Sequence, residues 1–291
     1  MNALALPVAA ALFATQIFFR VPEEHMLKTP KPTDVVGVVN GKDITAAELQ
    51  RLLWDWEAYR GLQELIGATM IDDAAKASGI DATHEETMVK VEERIAPYRT
   101  QVQPGWTLDD HLRAVGSSYT RIYIQSRSQV LSEKLAMMDF DPAKLRMIAQ
   151  IVIKPTDFSE TAREQAKQTA AQVIKMSKEG HPWEVLVQRY SSDEQSKPQN
   201  GRLGWLAPED VPEDMRQLVL AAVPGDVVGP FVVPAGVAVL KVEAAGPPPA
   251  NELEAAKNIA LQRGMQRLYN RLRTEMKFEN KLAPPIKTGG G

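Results

Sequence analysis

Apolar positions change their period several times along the chain, and each change marks an element. Val35-Val36-Gly37-Val38-Val39 is a short β-branched run that predicts a strand, and Asn40-Gly41 after it is a tight-turn pair. Thr45 and Glu48 form a capping box, each satisfying a free backbone N–H of the other. The helix they open carries Leu49, Leu52, Leu53, Trp56, Leu65, Ile66 and Met70, spaced for one buried face, with Gly61 and Gly67 weakening it. Gly79 ends a helical stretch that includes Ile71 to Ser78. Further helices are expected over 85–95, 108–115 and 119–138, punctuated by Pro97, Pro104-Gly105 and Gly116.

The period then shortens. Ala149 to Ile153 reads as a strand, Glu160 to Lys178 as a helix, and a second helical piece runs from Trp183 to Tyr190. After a polar, glycine-containing stretch come a helical turn at Met215–Ala222, the turn Pro224-Gly225-Asp226 and a last strand at Val237–Val242. The pattern ends in another helix, with Asn251 as its expected N-cap. Leu261, Met265, Leu268, Leu272 and Met276 make its stripe, with Arg263, Arg267, Arg271 and Arg273 mainly outside. Such a helix draws most of its stability from an apolar partner.

The ends have another character. Ala3 to Phe19 is uncharged and apolar apart from Thr15 and Gln16, which reads as a membrane anchor or a secretory signal. Ala9-Ala10-Ala11 lies inside the apolar run, too early for a cleavage site, which favours a retained anchor. Arg20, Lys28 and Lys31 follow the segment while Met1-Asn2 is unbasic, the reverse of the charge order expected for export. The proline-containing stretch 21–32 reads as a linker, Gly246 to Pro249 as a stiff second one, and 283–291 as a disordered tail.

Composition narrows the chemistry. A net charge of −3 over 291 residues offers no basic excess for nucleic acid. The absence of cysteine removes disulfides, thiol nucleophiles and Cys-type zinc sites together. His84-Glu85-Glu86 lacks the second histidine of a helical zinc site, and neither a phosphate loop nor a nucleophile elbow is found, so no metal and no cofactor is expected.

The stretch most suited to a site is Tyr190 to Leu206, whose polar turn ends in Gly201 and Gly204 before Leu203, Trp205 and Leu206 resume packing. With "YSSD" and "GRLGW" here and "PGDVVGP" at 224–230, the stretch from Met147 to Glu243 resembles the parvulin family of peptidyl-prolyl isomerases. The resemblance implies a small antiparallel sheet with flanking helices and a proline pocket, needing no cofactor. It places Leu203 and Met215 in that pocket, with Val211 and Leu218 as further candidates. Asp193 stands at the family's acidic or thiol position, either polarising the site or acting as a solvated loop residue. The family's strand histidines are replaced, by Gln150 in the first strand and Ala238 in the last. Gln150 can still hydrogen-bond; Ala238 cannot.

The stretch from Val35 to Ile80 is similar to the helical part of the SurA and PrsA group of envelope chaperones. That similarity implies an α+β fold in which a helical chaperone-like domain, built from 33–145 and 250–282, carries the parvulin-like α/β domain at 146–245 as an insertion. Trp54, Trp56, Tyr59 and Trp106 are then either a groove for unfolded clients or ordinary core aromatics. Three functions follow. The chain is expected to be an extracytoplasmic, membrane-tethered factor that binds unfolded or proline-containing polypeptides and has weak or absent isomerase activity. The alternatives are an active prolyl isomerase and an envelope scaffold that binds a partner.

Overall fold

The computed structural model describes residues 21–277 and 281–282. The apolar segment 3–19 and the tail 283–291 lie outside the described residues. The chain divides into two compact units, one of 1–135 with 267–291 and one of 136–266.

In the first unit, β1 (Val35–Val39) and β2 (Lys42–Thr45) form an antiparallel hairpin around the Asn40-Gly41 turn, where both residues have positive φ. The Thr45/Glu48 capping box then starts α1 (Ala46–Ala77). Gly61 and Gly67 do not interrupt it, and it runs unbroken for 32 residues. α2 (His84–Arg99) and α3 (Leu108–Ala114) each open on a capping box of their own, from Thr83 and Thr107. α4 (Tyr119–Ala136) follows. Pro97 was expected to end a helix but sits inside α2, because the carbonyl it frees, that of Glu93, lies on an exposed turn near the helix end.

Two buried clusters hold this unit. One joins Ile71 and Ala75 of α1 to Val130, Leu131 and Leu135 of α4 and to Leu268 and Leu272. The other joins Val91 and Ile95, Leu112, and Tyr119, Ile122 and Tyr123, and also takes in Val21. The stretch from residue 21 is therefore no free linker at its start. Val21 is buried, and His25 stacks on Tyr119 at 3.5 Å with its Nδ1 3.0 Å from Asp109 Oδ2. Between α1 and α4 a buried ion pair joins Arg127 to Asp72 at 2.6 Å, with Asp81 at 2.9 Å on the guanidinium's other arm.

The one buried face expected along α1 is present only in its C-terminal half. Leu49, Leu52, Leu53 and Trp56 are exposed, so among the described residues that face has no buried partner. Trp54, Tyr59 and Trp106 are exposed too, which overturns the core reading of these aromatics.

The second unit is built on a four-stranded antiparallel sheet of order β4-β3-β6-β5, comprising β3 (Arg146–Ile153), β4 (Arg202–Leu206), β5 (Val227–Val233) and β6 (Gly236–Ala245). Strand alternation sorts its side chains to two faces. Ala149, Ile151, Ile153, Val237 and Val239 pack under α5 (Glu160–Lys178) and α6 (Trp183–Tyr190). Ile148, Ala238, Leu240 and Val242 face α7 (Glu213–Ala221), through Met215 and Val219.

α8 (Ala250–Glu275) begins in this unit and ends in the first. Asn251 lies inside it instead of capping it, since the helix is opened by the Pro249 carbonyl, which accepts from the N–H groups of Glu252 and Leu253. Of the expected stripe only Leu268 and Leu272 are fully buried, while Ala256 and Ala260 are the buried contacts further up the helix. The proline run before α8 is not an extended linker. Pro248 is buried, and Gly246 donates to Leu145 O at 2.8 Å where a Cβ would sit 2.1 Å from Pro142 O.

Candidate functional site

The polar loop after α6 is stitched to the outer half of β3. Ser192 N donates to Val152 O at 2.7 Å, Val152 N donates to Ser191 Oγ at 3.3 Å, and Gln150 N donates to Gly201 O at 2.8 Å. Asn200 and Gly201 both have positive φ, at 56° and 79°, so the chain turns back sharply enough to reach the strand. A Cβ on Gly201 would lie 2.2 Å from Gln150 O, closer than any side chain tolerates. Glycine is required there both for the turn and for the approach.

This places Asp193 beside Gln150. The Gln150 Nε2 donates to Asp193 Oδ2 at 2.7 Å, the Ser196 hydroxyl donates to the same oxygen, and Gln195 N donates to Oδ1 at 3.3 Å. The Ser196 hydroxyl above all, then the Gln150 amide, hold the Asp193 carboxyl below its ordinary range against the opposing effect of burial. Asp193 is thus an ionised acceptor with its partners in place, and Gln150 is oriented by it.

On the α7 face of the sheet a cavity of about 180 Å³ opens. Its floor is Ile148 and Gln150 from β3 with Ala238 and Leu240 from β6, and its walls include Leu203, Val211 and Met215. Gln150, Ala238, Leu203, Val211 and Met215, singled out from separate stretches of sequence, therefore meet at one place. Asp193 does not line the cavity and reaches it only through Gln150. Leu218 stands apart, 55% exposed and outside the lining, because it falls on the outer side of α7 from Met215 and Val219. Sequence reasoning missed Asp210 and Arg263 in the lining. Ser196 was missed as well, although a serine three residues after Asp193 was a signal within the loop itself. Arg263 carried no such signal, since it arrives from α8, some sixty residues past the loop, and reads there as a solvent-side arginine.

Chemically the cavity is an apolar slot with one oriented amide at its base and no imidazole. It has the size and lining to hold a small ring, and at the strand position Ala238 it supplies a methyl group where the resemblance implies a histidine. The sequence of this region matches the family model described as Rotamase, PPIC-type PPIASE domain, over residues 151–244. Residues 151–244 form a parvulin-type domain. A comparison of the whole chain with curated proteins gives no significant match. Among solved structures the chain is similar to the peptidylprolyl isomerase PrsA of Bacillus anthracis, at 15% identity over 75% of this chain and 99% of that one, with a TM-score of 0.45. PrsA of Bacillus cereus is similar at 15% identity over 86% and 96%, with a TM-score of 0.40. One chain from a structure described as SurA-like chaperones of Campylobacter jejuni is similar at 17% identity over 85% of this chain and 100% of that one, with a TM-score of 0.28.

Proposed function

We propose that the protein is an extracytoplasmic folding factor that binds unfolded or newly exported polypeptides, in which the parvulin-type domain holds proline segments and isomerises them weakly or not at all. The observation that carries the binding part is the N-terminal half of α1, where Leu49, Leu52, Leu53, Trp56 and Tyr59 stand exposed along one helix. Exposed apolar surface of this extent is the kind that meets another polypeptide. The apolar segment 3–19 supports an extracytoplasmic place and a tether to the membrane.

The weak-activity part follows from what the cavity can do to a prolyl bond. Rotation about that bond has a barrier near ~18–20 kcal/mol, and only contacts made better with the twisted amide than with the planar one lower it. Apolar walls hold both forms alike. The Gln150 amide already donates to Asp193, and Ala238 offers nothing polar. Binding without much rate is the outcome these residues support.

The test pairs a protease-coupled assay on proline tetrapeptides with suppression of aggregation of a denatured client. Suppression near stoichiometric amounts, with a prolyl rate far below that of ordinary parvulins, is expected. A full rate abolished by Asp193→Ala would overturn the weak-activity reading. A failure to suppress aggregation would leave the envelope scaffold.

A further inference from the structure

Among the described residues that line the cavity Arg263 is the one cationic side chain, and it lies beyond the 151–244 match. Its position is fixed by the way α8 is laid along the open edge of β4. Trp205 Nε1 donates to Glu252 Oε2 at 2.7 Å near the start of the helix. Ala256 is buried with Leu145, Trp205 and Ala207. A Cβ on Gly204 would touch Ile259 Cδ1 at 3.5 Å, and one on Gly264 would lie 2.3 Å from Ala136 O. Two glycines and a buried alanine thus set the helix close, and Arg263 is the residue immediately before the tightest of these contacts.

The guanidinium is only loosely paired. Its ion-pair partner is Asp210, with Nη1 4.0 Å from Oδ2, too long for a hydrogen bond. That Asp210 oxygen accepts from Ala207 N at 3.1 Å and is almost wholly buried, with 3% of the side chain exposed against 37% for Arg263. Asp210 is thus a buried carboxylate held by the backbone, while the side chain of Arg263 remains partly exposed at the cavity's edge with its forked donors. Arg216, a cation beside the Val211 wall, is committed to the carbonyls of Pro208 and Val211 and to Glu213. The remaining lining is apolar apart from Gln150, whose amide serves Asp193.

We propose that Arg263 gives the cavity a preference for proline segments that carry a carboxylate on a residue next to the proline. The inference rests on the cavity being the proline site. An apolar slot with a single accessible guanidinium at its rim fixes where an aspartate or glutamate side chain would lie, and guanidinium matches carboxylate with two parallel hydrogen bonds. A lysine in the same place on the peptide meets like charge.

The test uses the full chain, ¹⁵N-labelled, titrated with three blocked peptides, Ala-Glu-Pro-Phe, Ala-Ala-Pro-Phe and Ala-Lys-Pro-Phe. Amide shifts of Gln150, Leu203 and Ala238 report the cavity. The Glu peptide is expected to bind tightest and the Lys peptide weakest, with about a two- to fivefold gap at low salt, the range for a partly exposed pair. The gap closes in Arg263→Gln with the Ala peptide unaffected, and its sign reverses in Arg263→Glu. Equal affinities in the wild type, or an unchanged order in Arg263→Gln, would overturn the inference while leaving the cavity as the proline site. Equal weakening of all three peptides in Arg263→Gln would mean that the side chain only supports the wall, which also overturns it. If no peptide moves the cavity amides, the proline-site reading falls and the preference with it.

Discussion

Trp183 opens α6 and Trp56 lies in the N-terminal half of α1; the residue type is the same and the surroundings are opposites. Trp183 is 3% exposed, packs with Ala149, Ile151, Val173 and Val187, and donates its indole N–H to Asn200 O at 3.1 Å. Trp56 is 66% exposed on the stretch of α1 where Leu49, Leu52 and Leu53 are exposed as well. Helical spacing marks both as members of an apolar face. Whether such a face is buried depends on a second element arriving over it, and that is a property of topology, since β3 and β6 lie under α6 while the described residues of its own unit leave the N-terminal half of α1 exposed. One tryptophan is built into a core, and the other is exposed on the face proposed above to meet clients.

The largest expected effect breaks the buried side of this comparison. Trp183→Ala should destabilise the second unit by about 3–5 kcal/mol, the cost of emptying a large aromatic site, with the indole bond lost besides. Trp56→Ala should fall within about ±0.5 kcal/mol, as surface changes do, and should instead weaken suppression of client aggregation. Urea denaturation of the two variants beside the wild type checks both. Equal losses of stability would show that the α1 face is covered in solution.

A smaller effect is expected at the loop. Gly201→Ala puts a side chain at φ 79° and against Gln150 O, and should cost roughly 1–3 kcal/mol. Because the clash is with the backbone of β3, the amide resonance of Gln150 should shift more than any on α1. An unperturbed Gln150 would separate the loop from the strand.

The smallest effect concerns pH. The folded Asp193 carboxyl is held below its usual value, so its contribution is present above the unfolded value of about 3.9 and is lost as pH falls through the lower folded one. Asp193→Asn should flatten that part of the acid limb for the second unit. Thermal melts between neutral pH and about pH 3 would show it, and an acid limb identical to wild type would mean that the Ser196 and Gln150 hydrogen bonds do not favour the ionised form.

Most of the second unit was legible because its signals are local. The β-branched run at 149–153, the Ser-Ser-Asp turn and the glycines at 201 and 204 each fix a conformation within a few residues, and the strand and loop follow. The five side chains that meet in the cavity were found through a resemblance whose motifs lie in that same stretch. What escaped was set by distant packing. Arg263 reaches the cavity because Gly264 lets α8 press on Ala136, a contact between residues more than a hundred positions apart. The exposure of Leu49 to Trp56 escaped for the converse reason, since the sequence shows a face and not the lack of a cover.

The contact between Gly201 and Gln150 has a consequence for how such a site can change over generations. The backbone of residue 150 is held by the Gly201 carbonyl and by the strand ladder, neither of which involves its side chain. A new side chain at 150 therefore inherits a fixed address beside Asp193, and the chemistry of the slot is decoupled from its architecture. An exchange of imidazole for amide at that position leaves the backbone bonds between loop and strand in place. The fixed element is the glycine, whose every alternative carries a Cβ into the strand.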